Sequence, residues 1–157
     1  EKPPRVPLTV ALAPVKGDRT EDAVEKLVEI GIDRIVVLSA LEHSVVRWDI
    51  GRADAAVARY RRIVRAASAQ SRRVFLPLVE GPLPLTEVLA GEFVALAEPG
   101  GTTDLSGITT VVVGPEGGFS AAEVELAQRR VSLGQGILRA DTAAVVAGAL
   151  MVAHQRR

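Results

Sequence analysis

Apolar runs alternate with helix-like segments along the chain. The stretches "LTVALA" (8–13), "RIVVL" (34–38), "VFLPLV" (74–79), "EFVALA" (92–97) and "TTVVV" (109–113) are short, largely apolar and mostly rich in β-branched residues, and read as buried strands. Helical periodicity fills the gaps. In "DRTEDAVEKLVEIG", Val24, Leu27 and Val28 share a stripe that runs into Gly31, a residue suited to a C-cap. In "RADAAVARYRRIVRAASAQS", Val57, Tyr60, Ile63, Val64 and Ala67 fall on one face. "LTEVLA" predicts a short helix, and "SAAEVELAQRR" and "TAAVVAGALMVAHQRR" predict the last two. The order β-α-β-α-β-α-β-β-α-β-α predicts an α/β fold with a largely parallel sheet and helices on both faces.

The final helix is apolar nearly all round, through Ala143, Val145, Val146, Ala149, Leu150, Val152 and Ala153. Such a helix is buried on more than one side, so it is central to the domain or also packs against another subunit.

A chain of 157 residues fits one domain. The proline-rich start "EKPPRVP" (1–7) reads as a linker, with the domain over 8–157. There is no cysteine, which excludes disulfides and thiolate metal sites, and a cytosolic setting fits that composition. His43 and His154 have no partner at metal-ligand spacing, so no metal is expected. The uncharged run from Thr142 to Ala153 is too short to span a bilayer.

Net charge is zero, but its distribution is uneven. Residues 1–75 carry 14 Lys and Arg against 10 Asp and Glu, and residues 76–157 carry 5 against 9. Between Ala55 and Val79 there is no acid, while Arg59, Arg61, Arg62, Arg65, Arg72 and Arg73 all occur there. That cluster is either an anion-binding face or a solvated helix.

Candidate chemistry sits in glycine loops. "GPEGG" (114–118) follows a predicted buried strand, where α/β sheets place ligands. Ser120 and Glu123 form an S-x-x-E capping box that starts a helix at once. "LAEPGG" (96–101) is a second strand end, and "SLGQGILRADTA" (132–143) a third glycine loop with Asp141 or Thr142 as the following N-cap. Neither the P-loop nor the G-x-G-x-x-G pattern occurs. Three such loops suggest one pocket walled by main chain, suited to an adenine or amino-acid moiety, with Leu133, Ile137 and Leu138 as apolar walls.

The pair "GPEGGFSAAEVELA" and "VSLGQGILRADTAAVVAGAL", at this spacing, resembles the 16S ribosomal RNA uridine-N3 methyltransferases, the RsmE-like branch of the SPOUT superfamily. "KGDRTEDAVEKLVEIGIDRIVVLSALEHSVVRW" and "RIVRAASAQSRRVFLPLV" extend the resemblance over about residues 8–155. The resemblance implies a SPOUT domain: a parallel sheet whose C-terminal segment threads a trefoil knot, a homodimer, and S-adenosyl-L-methionine bound in the knot. It implies a cytoplasmic enzyme acting on 16S rRNA of the small ribosomal subunit, with a PUA-like RNA-binding domain ahead of residues 1–7. Carried over, the cofactor residues are Leu96, Ala97, Glu98, Gly114, Pro115, Glu116, Gly117, Gly118, Leu133, Gly134, Ile137, Leu138, Arg139 and Thr142. The sequence departs at Gly136, where many members carry Arg, and at Asp141, where they carry Glu.

Uridine N3 holds its proton at neutral pH, so transfer needs proton removal or stabilisation of the anion. Arg139 is the candidate catalytic residue, set against the uracil oxygens; the alternative is an ion pair with Asp141 or the acidic half. Glu116 and Asp141 are the carboxylates open to the role of base. With aromatics at 3%, RNA docking falls to phosphate contacts from Lys16, Arg19, Arg47, Arg72 and Arg73 rather than to stacking. The rival readings are a SPOUT methyltransferase for another RNA nucleotide and a non-catalytic RNA-binding or dimerisation module.

Overall fold

The structure, a computed structural model, describes residues 5–156. Residues 1–4 of the expected linker, and Arg157, lie outside the described residues. The elements follow in the order β1 (Thr9–Leu12), α1 (Arg19–Ile30), β2 (Arg34–Leu38), α2 (Ile50–Gln70), β3 (Leu78–Leu83), α3 (Leu85–Leu89), β4 (Val94–Thr102), β5 (Thr110–Val113), α4 (Ala121–Glu125), β6 (Arg130–Val131) and α5 (Ala140–Gln155). All six strands join one sheet in the order β3-β2-β1-β5-β4-β6, and every pairing is parallel.

Alternation along the strands makes two cores. Val10, Leu12, Ile35, Val37, Val111 and Val113 face α1, α2 and α5. Ala11, Val36, Leu38, Val94, Leu96 and Val112 pack on the other side with Leu85, Val88 and Phe119. The strands therefore read as continuous apolar runs, because successive side chains are buried on opposite faces.

Local signals act as expected in several places. Gly31 ends α1 at φ 115°, its N–H bonded to the Leu27 carbonyl. The α2 stripe is buried at Val57, Tyr60, Val64 and Ala67. Helix α5 packs on α1, β5 and β1. Its approach to α1 is so close that a Cβ on Gly148 would stand 2.6 Å from Leu27 Cδ2. Ala149 and Leu150 remain exposed on the other side of the helix. No helix among the described residues is long and apolar enough to cross a membrane.

Three boundaries differ from expectation. The strand placed at 74–79 starts only at Leu78, whose N–H meets the Asp33 carbonyl; Val74 and Leu76 are exposed. The strand then runs through Pro82, which an edge position tolerates. The helix expected over "SAAEVELAQRR" ends at Glu125, since the chain must turn to reach β6 at Arg130. The N-cap of α5 is Arg139 rather than Asp141 or Thr142, and it caps without a side-chain bond.

At the amino edge of the sheet Asp33 gathers both ends of the described chain. Its buried carboxylate accepts from the Leu8 N–H at 2.9 Å, from Arg73 at 2.9 Å, from Arg156 at 2.5 Å and from Arg5 at 3.4 Å. Burial alone would raise its pKa, but the Leu8 bond and the Arg156 and Arg5 charges together outweigh burial and hold it below the usual carboxylate range. Because the folded value is depressed, this contribution is complete above the unfolded value of about 3.9 and is lost as pH falls through the lower folded value. Asp33→Asn leaves three guanidinium groups without their counter-charge. It is expected to lower stability by about 3–5 kcal/mol at neutral pH, read from urea midpoints, and the gap from wild type should close in strong acid.

Candidate functional site

In a parallel sheet every strand ends at the same edge. From β1 the chain moves outward to β2, while from β5 it moves the opposite way to β6. The crevice between the carboxyl ends of β1 and β5 is thus a topological switch point, where such sheets bind ligands. The loop after β6 returns from the outermost strand to α5, which lies over α1, β5 and β1, so it crosses the carboxyl edge. The three glycine segments follow or continue β5, β4 and β6, which are neighbours in the sheet, so parallel pairing directs all three toward the carboxyl edge.

The turn after β5 is tight and well supported. Gly118 sits at φ 73° and donates to the Pro115 carbonyl at 2.9 Å. The Phe119 ring lies under it, and a Cβ on Gly114 would come within 3.1 Å of that ring. The Ser120–Glu123 capping box is present. The second Glu123 oxygen accepts from the Glu42 N–H at 3.2 Å, and His43 Nδ1–H donates to the Gly117 carbonyl at 3.1 Å. The β2–α2 loop therefore rests on the glycine turn. No spacing in the chain linked residues 42 and 43 to it; the contact exists because both loops leave the same edge.

The second segment is a strand rather than a strand end. Pairing continues past Ala97, and Ala97 and Thr102 both partner Val131. Gly101 touches backbone directly, since a Cβ there would lie 2.7 Å from the Arg130 carbonyl carbon and 2.8 Å from that of Val131. The Leu96 side chain is in the core and its N–H bonds to the Arg129 carbonyl, while Ala97 and Glu98 are half-buried. Beside this tail a polar cavity of about 390 Å³ is lined by Gly100, Gly101, Thr102, Asp104, Arg129 and Arg130, among others.

In the third segment Leu133 packs partly on the main core, whereas Ile137 is fully exposed and Leu138 is 37% exposed. Asp141 lies in the first turn of α5, where the helix dipole favours an anion. Its Oδ1 is buried and accepts no hydrogen bond. Arg139 Nη2 stands 3.6 Å from Asp141 Oδ2, yet its side chain is 68% exposed. Of the two expectations for Arg139, the ion pair with Asp141 is present in loose form, and the guanidinium is otherwise open to solvent. Thr142 is exposed beside it.

The five basic residues expected to meet RNA are not brought together. Lys16, Arg19 and Arg47 lie at the carboxyl edge, on or next to the loops after β1 and β2. Arg72 and Arg73 lie after α2, at the opposite edge. Arg73 is a correction: its side chain is 10% exposed and donates to Asp33 and to the Val28 and Ile32 carbonyls. Arg47 donates to the Leu41 and Glu42 carbonyls at 2.8 and 2.9 Å, holding its own loop. Arg19 bonds Glu116 and pairs with Asp141. Within the acid-free stretch, Arg61 donates to the Val79 carbonyl and Arg59 pairs with Glu21, so part of that charge serves packing.

A family described as RNA methyltransferase domain matches residues 1–152. The chain belongs to this family. Among relatives, the ribosomal RNA small subunit methyltransferase E of Mycobacterium bovis is 37% identical, over 98% of this chain and 66% of that protein. The chain thus spans just under two thirds of that relative's length. The ribosomal RNA small subunit methyltransferase E of Neisseria gonorrhoeae, bound to S-adenosyl methionine, superposes with a TM-score of 0.80 at 29% identity, covering 95% of this chain and 66% of that one. The SpoU methyltransferase AviRb of Streptomyces viridochromogenes shares the fold at a TM-score of 0.59 and 18% identity, over 99% and 61% of the two chains.

The close approach at Gly101 gives a direct test. Gly101→Ala must push the β4 tail off β6, because the obstructing atoms are all backbone. Its unfolding free energy should drop by about 1–3 kcal/mol, whereas Gly136→Ala, with nothing within 4 Å of the new Cβ, should leave the denaturation midpoint in place.

Proposed function

We propose that this chain is an S-adenosyl-L-methionine-dependent methyltransferase domain that modifies N3 of a uridine in small-subunit ribosomal RNA and works as a homodimer. The observation that carries the reading is that three glycine-rich segments, from the neighbouring parallel strands β4, β5 and β6, run to one edge of the sheet, the edge of the switch-point crevice. The named activities of the relatives support it.

The residues present fit the cofactor. At Gly118, Gly134 and Gly136 an added Cβ would meet nothing within 4 Å, so main chain is open to a ligand there. Exposed Ile137 and Leu138 offer apolar cover, and the unbonded Asp141 Oδ1 offers an acceptor. The segments 96–98, 114–118 and 133–142 would hold it. When bound it supplies a methyl group already activated on a sulfonium. What remains for the protein is alignment, which contributes about 7–11 kcal/mol in favourable cases, and stabilisation of the uracil anion. We assign the second task to Arg139, whose guanidinium is 68% exposed and only loosely paired with Asp141.

The open space at Gly136 also bears on the acceptor. A Cβ at position 136 would meet nothing within 4 Å, so packing does not demand glycine there, and we assign the absent Arg to a substrate contact. For the homodimer, the exposed Ala149 and Leu150 on α5 are the supporting feature, an apolar surface on a helix whose other side is already buried.

Calorimetry with S-adenosylmethionine is the first test, and a chain that binds none lacks the proposed activity. Nucleoside analysis of methylated small subunits should give 3-methyluridine; another methylated nucleoside would change the acceptor. Arg139→Ala should lower kcat, read at saturating S-adenosylmethionine, by roughly 10²-fold; an unchanged rate removes Arg139 from the chemistry.

A further inference from the structure

We propose that Arg19 is a positioning residue that clamps the 114–118 turn to the first turn of α5 across the switch-point crevice; the inference rests on the cofactor reading above. Arg19 is the first residue of α1, just after β1. Glu116 sits in the turn after β5, and Asp141 in the first turn of α5. One guanidinium therefore joins three elements that the chain visits far apart. Arg19 Nη2 donates to Glu116 Oε1, and Nη1 stands 3.8 Å from Asp141 Oδ1. The three side chains are 29%, 29% and 16% exposed, so the cluster is partly sheltered. Among the described residues no other ion pair links that turn to α5.

Two physical points favour a clamp over a phosphate contact. A cation at the first position of a helix faces the positive end of the helix dipole, so Arg19 does not serve α1. Two carboxylates already face its guanidinium, and a phosphate approaching Arg19 would meet both of them. Arginine also suits the geometry, because its planar fork presents separate donors to two acceptors, which a lysine ammonium does less well.

The clamp is asymmetric. It is bonded on the Glu116 side and only ion-paired on the Asp141 side, where Oδ1 is buried and accepts no hydrogen bond. Its role is to set the distance between the glycine turn and the N-terminus of α5, the two walls that the cofactor must touch together.

Arg19→Gln, Arg19→Lys and Glu116→Gln are compared by amide hydrogen exchange, S-adenosylmethionine titration and RNA binding over a salt series. Exchange at 114–118 and 140–143 should rise together, roughly three- to tenfold, in Arg19→Gln and Glu116→Gln. Affinity for S-adenosylmethionine should fall by a similar factor, with Arg19→Lys intermediate and RNA affinity and its salt slope unchanged. Unchanged exchange at both segments overturns the clamp, whether or not cofactor binds. Raised exchange with unmoved cofactor affinity overturns the positioning role. A fall in RNA affinity and a shallower salt slope, without change in exchange, assigns Arg19 to phosphate instead. Should Arg19→Gln fail to fold, Glu116→Gln, itself in a segment assigned to the cofactor, judges the clamp by exchange at 140–143 with α1 intact. A wild-type chain that ignores S-adenosylmethionine sinks the proposed function, and the exchange measurement still judges the clamp by itself.

Discussion

Parallel hydrogen bonding is the constraint on which the rest depends. A parallel neighbour can be reached only by carrying the chain back to the starting edge, so every connection after a strand leaves from the same side. Six parallel strands thus deliver the loops after β1, β2, β5 and β6 to one rim without any loop being designed to meet another. The switch in direction between β1 and β5 then opens a crevice in that rim. Helix α5 adds the last condition, because its seat on α1 obliges the chain from β6 to travel back across the rim first. Gly148 makes that seat close enough.

Much of the fold was legible because period and punctuation agree. The α1 stripe ends where Gly31 ends it, and the capping box marks the start of α4. The errors fall where tertiary pairing overrides local pattern. Val74 and Leu76 look like strand interior, but β3 is an edge strand and pairing with Arg34 starts only at Leu78. "EPGG" looks like a loop, yet Thr102 pairs with Val131 because Gly101 lets two backbones touch. A strand made of glycine and proline has no hydrophobic signature to read.

The candidate site was legible as a set of segments and less so as a set of side chains. Glycine loops announce themselves by composition, and topology gathers them. Charged side chains carry no such label. Arg73 and Arg72 are adjacent in the chain and look alike, but the half-buried Arg73 is held by Asp33 while Arg72 is exposed. Arg19 and His43 meet the glycine turn only through the folded sheet, and the partner of each lies more than 70 positions away. Spacing cannot reveal a contact of that kind.

The Asp33 cluster has a mechanical consequence. Arg5, near the start of the chain, and Arg156, near its end, hold the same carboxylate. A tension applied between residues 5 and 156 would bear on those contacts. The rim that carries the candidate site lies at the far end of the sheet, so such a load would enter the fold at the edge away from it.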